Sequence, residues 1–218
     1  MVDTNPKILV GLSTSEYIRR ADFLPYFLAL DKPEGTLIST VHGQSPARSR
    51  NLIIEQALAN DVTHILFIDD DMAIPSDTLV RLFNHNKDVV SALYILRSYP
   101  HFPAAFDKFY EDGKCRFMFL DKDVKGLVPI VNCGLGCVLI KIEVFKKLKS
   151  PWVTLGSIIK DGWCDDIAFF NKVREAGFEM FCDTDARVGH MHSLVLWPSC
   201  HDEVWYTEYK NDNGNILV

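Results

Sequence analysis

The segment that most constrains this chain is His64-Ile65-Leu66-Phe67-Ile68, an apolar run that passes directly into three carboxylates, Asp69-Asp70-Asp71. A short continuous apolar run reads as a strand buried on both faces, the situation of a parallel sheet covered by helices. Three adjacent carboxylates at its end repel one another, and nothing local neutralises them. In an open α/β sheet, ligands bind outside the carboxyl ends of the strands. Residues at i and i+2 of an extended segment point to the same side, so Asp69 and Asp71 are expected to share one site. Oxygen donors favour hard cations such as Mg2+ or Mn2+, which complete their shells with water and substrate phosphates. The plainer alternative is a solvated acidic turn with Asp71 capping the next helix. The position directly after a buried strand favours the functional reading.

The rest of the first half supports a strand–helix alternation. Residues 7–12 and 36–41 read as strands, the second rich in β-branched residues. Apolar spacing predicts helices over 17–30 and 48–60, the latter opened by Pro46 and Ala47. Ser76 is the expected N-cap of a helix over 77–84, and 88–95 is a fourth strand. Residues 97–103, rich in Pro and aromatics, must be a loop.

In the second half, Glu111-Asp112-Gly113-Lys114 lies between two apolar runs and signals a hairpin. Residues 128–132 and 137–140 are strand candidates around Gly134-Leu135-Gly136, and 144–148 is helical. A helix over 165–176 closes on Gly177, and 178–182 and 186–188 read as two short strands. The last thirty residues show little periodicity. The expected architecture is one mixed α/β domain: a parallel sheet flanked by helices, with antiparallel additions.

Composition narrows the partners. The chain has 218 residues, 48% hydrophobic, which excludes disorder as the main state. Its 23 Lys+Arg against 29 Asp+Glu give a net charge of −6, which argues against a nucleic-acid polymer gripped along its backbone. No apolar run approaches the ~18 residues of a membrane span, and the first residues lack a signal-peptide pattern. The six cysteines include no Cys-x-x-Cys pair and read as reduced, buried thiols of a cytoplasmic protein.

Three further clusters carry chemistry. His190 and His192, in Gly189-His190-Met191-His192, would face one side of an extended segment and suit Mn2+. A lone core or surface histidine is the commoner case. Asp165 and Asp166, at a helix start, are either dipole-favoured acids or include a general base for an acceptor hydroxyl. Arg48-Ser49-Arg50 opens a helix, where guanidiniums suit phosphate, although surface arginines commonly pair with surface acids.

In this order the segments resemble a nucleotide-sugar glycosyltransferase of the GT-A fold, in the broad family 2-like group. The resemblance rests on KILVGLSTSEYIRRADFLPYFLAL, ARSRNLIIEQAL, HILFIDDDMAIPSDTLVRLF, GLGCVLIKIEVFKKL, PWVTL and WCDDIAFFNKVREAGFEMFCDTDARVGHMH, which together span most of residues 7–192. It implies a single GT-A domain over 1–218, a Rossmann-like mixed sheet flanked by helices, with a nucleotide-binding half to about 95 and an acceptor and metal-completing half from about 96.

Asp69 and Asp71 match the two acids of the family's DxD motif, the first facing ribose or sugar and the last ligating the metal. His190 matches the late histidine that completes the metal shell, with His192 as its substitute. Asp166 matches the general base, and Asp165 stands where the family more typically has Glu. Ser13, Thr14, Arg48 and Asp70 fall where the nucleotide or sugar is lined.

The resemblance implies Mn2+ or Mg2+, a UDP-sugar donor before a GDP-sugar, a glycan or other hydroxyl acceptor, and inversion. The cytoplasmic location read from the cysteines would be that of a host if the source is viral. Trp152, Trp163 and Trp197 are candidates for stacking on sugar, against ordinary core or surface roles. The alternatives are a nucleotidyltransferase, which would usually open with a Gly-rich basic loop, and a non-catalytic sugar- or nucleotide-binding domain.

Overall fold

The computed structural model describes residues 6–14, 22–110, 114–121, 123–154, 165–192, 195–210 and 216–217. The first half runs β1 (Ile8–Ser13), α1 (Phe23–Ala29), β2 (Leu37–Val41), α2 (Pro46–Ala59), β3 (His64–Asp69), β4 (Met72–Ala73), α3 (Thr78–Asn84) and β5 (Val89–Leu93). β1 pairs in parallel with both β2 and β3, as the alternation predicts. α2 starts where it does because the Ser45 hydroxyl accepts the Arg48 N–H and Pro46 occupies the first turn. For α1, residues 17–21 of the expected helix lie outside the described residues. At α3 the N-cap is Asp77, one residue beyond the expected Ser76, and no side chain caps it.

The second half runs β6 (Ala105–Phe109), β7 (Cys115–Phe117), β8 (Leu127–Ile130), β9 (Asn132–Cys133), β10 (Cys137–Lys141), α4 (Ile142–Lys147), α5 (Asp165–Glu175), β11 (Met180–Arg187), β12 (Gly189–Met191), β13 (Val195–His201), β14 (Val204–Lys210) and β15 (Ile216–Leu217). The main sheet has the order β2-β1-β3-β10-β5-β11-β8. β10 lies antiparallel between β3 and β5, so the sheet is mixed. The hairpin β6–β7 forms as expected, with 111–113 outside the described residues.

Three expectations are corrected. The single strand expected over 128–132 is two strands, because the chain leaves β11 after Ile130 and pairs Asn132 with Phe106 of β6. The two strands expected over 178–188 are one strand, with its irregularity at Asp183, whose Oδ1 accepts the N–H of Asp185 and of Ala186. The tail is not irregular: β13 and β14 form a seven-pair hairpin in a second sheet of order β15-β14-β13-β12-β4. Its two-residue turn is Asp202-Glu203, at φ 48° and 64°, the left-handed pair that normally selects Asn-Gly.

The core follows from strand alternation. On β3, Ile65 and Phe67 face α2, α4 and α5, joining Ile53, Phe145, Phe169 and Phe170. Leu66 and Ile68 face α1 and α3, joining Phe23, Phe27, Leu79 and Leu82. Burial on both faces is what the uninterrupted apolar run required. Cys137 and Cys182 are buried free thiols, pushed up to about 12 by that burial, and they pack as small hydrophobes. Among the described residues no helix is long and apolar enough to cross a membrane.

Candidate active site

The parallel register aligns Ser13 at the end of β1 with Asp69 at the end of β3, and with Val41 at the end of β2. All three strands therefore finish at one edge of the sheet. There a cleft of about 220 Å3 is lined by Ser13, Thr14, Asp69, Asp70 and Asp71, with Gln44, Pro46 and Arg50 opposite. Thr14 is held at the rim by its N–H bond to the Val41 carbonyl, 3.0 Å.

The three carboxylates separate into two environments. Asp69 accepts from Arg50 Nη2, at 2.9 Å to Oδ1 and 3.2 Å to Oδ2. The other guanidinium nitrogen, Nη1, donates to Asp166 Oδ1 at 3.3 Å. Arg50 is buried, and burial works against its charge. The charges of Asp69 and Asp166 outweigh that and hold the guanidinium above its ordinary range. Arg50 thus ties α2 to the end of β3 and to the first turn of α5.

Asp166 Oδ2 in turn accepts the Leu135 N–H at 3.2 Å. Burial pushes the Asp166 carboxyl above the ordinary carboxylate range; Arg50 opposes this and the charge of Asp69 adds to it.

Gly134-Leu135-Gly136 makes this contact possible. A Cβ on Gly134 would collide with the Tyr94 hydroxyl, and one on Gly136 would collide with Met72. Without them the loop lies against Tyr94, whose hydroxyl accepts the Gly136 N–H at 3.1 Å, and Leu135 presents its N–H to Asp166. The Gly136 carbonyl accepts the Asp69 N–H, so one loop touches both acids.

Asp71 lines the same cleft with different partners. Its backbone carbonyl accepts the Met191 N–H at 2.7 Å, joining it to the strand that carries His190. Its Oδ2 lies 3.0 Å from Arg97 Nη1 and 3.7 Å from His190 Nε2. His190 Nδ1 is 2.8 Å from the Ile95 carbonyl, which can only accept, so the proton sits on Nδ1. Nε2 lies on the Asp71 side, where the neutral ring would offer its lone pair to a cation. Among the described residues, no three His, Cys, Asp or Glu side chains converge. Asp71 and His190 are the residues that could hold a divalent cation, which would need further ligands from substrate or water, while Asp69 is turned to Arg50.

The structure thus brings together Ser13, Thr14, Asp69, Asp70 and Asp71 in one cleft, with Asp166 and His190 reached through Arg50 and Asp71. It leaves Arg48 and His192 exposed. Asp165 is half-buried, and its neighbour Asp166 contacts Arg50 and Leu135. Trp152 is core, donating Nε1–H to the Phe145 carbonyl, Trp197 packs at the core margin, and Trp163 lies outside the described residues. Tyr94 and Arg97 were not singled out by the sequence.

No family model and no curated protein matches the sequence. Solved structures do. A197 from STIV superposes with a TM-score of 0.65 at 20% identity, covering 94% of this chain and 95% of that one. GalNAc-T7 with UDP, GalNAc and Mn2+ matches at 0.55 and 12%, over 87% of this chain. S. aureus TarS in complex with UDP-GlcNAc matches at 0.51 and 14%, over 82%. The chain has a GT-A fold. At these identities the likeness is one of fold. This GT-A chain spans 44% of the GalNAc-T7 chain and 56% of the TarS chain. Its mixed sheet carries the cleft at the same kind of strand-end edge where α/β folds bind ligands.

Proposed function

We propose that this GT-A chain is a divalent-metal-dependent glycosyltransferase. It takes a sugar from a nucleotide-diphosphate sugar, UDP before GDP, and passes it to a hydroxyl acceptor with inversion. The observation that supports the reading is Arg50, which joins Asp69 in the strand-end cleft to Asp166, the carboxylate this reading assigns to the acceptor.

In this reading Ser13, Thr14 and Asp70 line the nucleotide and Asp69 orients ribose or sugar. Asp71 and His190 would hold a divalent cation, which would supply Lewis-acid stabilisation of the charge developing on the leaving phosphate. As the acceptor oxygen bonds to the anomeric carbon, its proton passes to the Asp166 carboxylate. The bond from that carbon to the β-phosphate oxygen breaks, and the nucleoside diphosphate leaves with the electron pair. A carboxylate held above its ordinary pKa is a stronger base for this proton, and Arg50 keeps it ionised and aimed.

The test is nucleoside-diphosphate release from a panel of UDP- and GDP-sugars with Mn2+. One donor should be turned over, and Asp166→Asn should slow transfer by about 10²–10⁴ while nucleotide binding persists. Normal transfer by Asp166→Asn would remove the base assignment.

A further inference from the structure

The Asp71 oxygen nearest His190 already carries a cation from the protein itself. Arg97 Nη1 sits 3.0 Å from Asp71 Oδ2, the same oxygen that lies 3.7 Å from His190 Nε2. A divalent ion taken by Asp71 and His190 needs that oxygen, and one carboxylate oxygen facing both a guanidinium and a metal brings two cations into repulsion. We propose that Arg97 is a built-in placeholder for the metal: it neutralises Asp71 before the donor arrives and transfers to the donor's diphosphate when the metal binds. This rests on the function proposed above.

The segment is built for such an exchange. Its neck is pinned, because Ile95 bridges to Pro103 and the Leu96 N–H bonds to the Phe102 carbonyl at 2.8 Å. The Ile95 carbonyl holds His190 Nδ1–H, so the neck that fixes the ligand histidine also sets where Arg97 begins. Beyond the neck, the Arg97 side chain is 39% exposed and long enough to move without the backbone. Arg50, by contrast, is 6% exposed and locked between two acids. Among the described residues, two arginines contact the carboxylate cluster, and Arg97 is the more exposed and mobile of them.

The exchange conserves charge pairing. Asp71 trades a guanidinium for a divalent cation, and the guanidinium trades a carboxylate for a diphosphate, which it can engage through two N–H donors. Metal and nucleotide binding are then coupled, each favouring the other by removing Arg97 from Asp71.

The experiment is calorimetric titration of Mn2+, alone and with saturating UDP, into wild type, Arg97→Met and Arg97→Gln, with folding checked by circular dichroism. Without nucleotide, both variants should bind Mn2+ roughly three- to tenfold more tightly than wild type, since the competing cation is gone. UDP without metal should bind them more weakly, and the gain in Mn2+ affinity caused by UDP should shrink. Equal or weaker Mn2+ affinity in both variants, with UDP–Mn2+ binding intact in wild type, overturns the placeholder role and leaves the glycosyltransferase reading standing. No Mn2+ binding by any of the three proteins, with or without UDP, overturns both.

Discussion

Arg50 and Asp166, 116 residues apart in sequence, meet across 3.3 Å between α2 and α5. The same guanidinium holds Asp69, so the strand-end cleft and the proposed base share one buried cation. Removing it leaves two carboxylates facing each other without a counter-charge. Arg50→Met should cost about 3 kcal/mol of stability, the lower end for breaking a buried ion pair, read by denaturant unfolding. Arg50→Lys, which keeps the charge and loses the fork, should recover part of the stability but little transfer.

The ionisation of Asp166 sets a pH signature. Its carboxyl lies above the ordinary range because of burial, so the acid limb of kcat should fall above that of a solvent carboxylate. A pH–rate profile reads this directly, and an acid limb in the ordinary carboxylate range would contradict it.

The same shift has a stability consequence. A carboxyl raised in the folded state contributes stability that is fully present below the ordinary carboxylate range. That contribution is lost as pH rises through its raised pKa. Asp166→Asn should therefore match wild type in thermal midpoint at low pH and exceed it at neutral pH. A variant less stable than wild type at neutral pH would show that the Arg50 and Leu135 contacts outweigh the cost of burial.

Gly134 and Tyr94 form a packing pair. Gly134→Ala drives a methyl into the Tyr94 hydroxyl and should cost about 1–3 kcal/mol. Tyr94→Phe removes that oxygen and strands the Gly136 N–H, costing about 1 kcal/mol alone. The double variant should be more stable than the sum predicts, because Phe leaves room for the methyl. Strict additivity in a double-mutant cycle would contradict the close approach.

Much of this was legible in the sequence. The run from His64 to Ile68 ending in acids was sufficient to place β3 and its cleft, because burial on both faces leaves a continuous apolar signature. The choice of Arg48 for the nucleotide was not supported by the helix, which buries Arg50 and exposes Arg48. Ala47, Arg50, Ile54 and Ala57 recur at three- and four-residue steps along the buried stripe of α2, and Arg48 falls off it.

The tail hairpin was not readable, since its Asp202-Glu203 turn lacks the Asn-Gly signal. Nor was the insertion of β10 between β3 and β5, because a strand's own periodicity does not name its neighbours. The contact of Arg97 with Asp71 depends on a loop whose course is set by tertiary pairing.

The most direct measurement is a calorimetric titration of UDP into wild type, Asp71→Ala, His190→Ala and His192→Ala, each with and without Mn2+. The account predicts metal-dependent UDP binding by wild type, its loss in Asp71→Ala and His190→Ala, and its retention in His192→Ala, whose side chain is exposed. Metal-dependent binding that survives Asp71→Ala, or that is lost in His192→Ala and kept in His190→Ala, would contradict it.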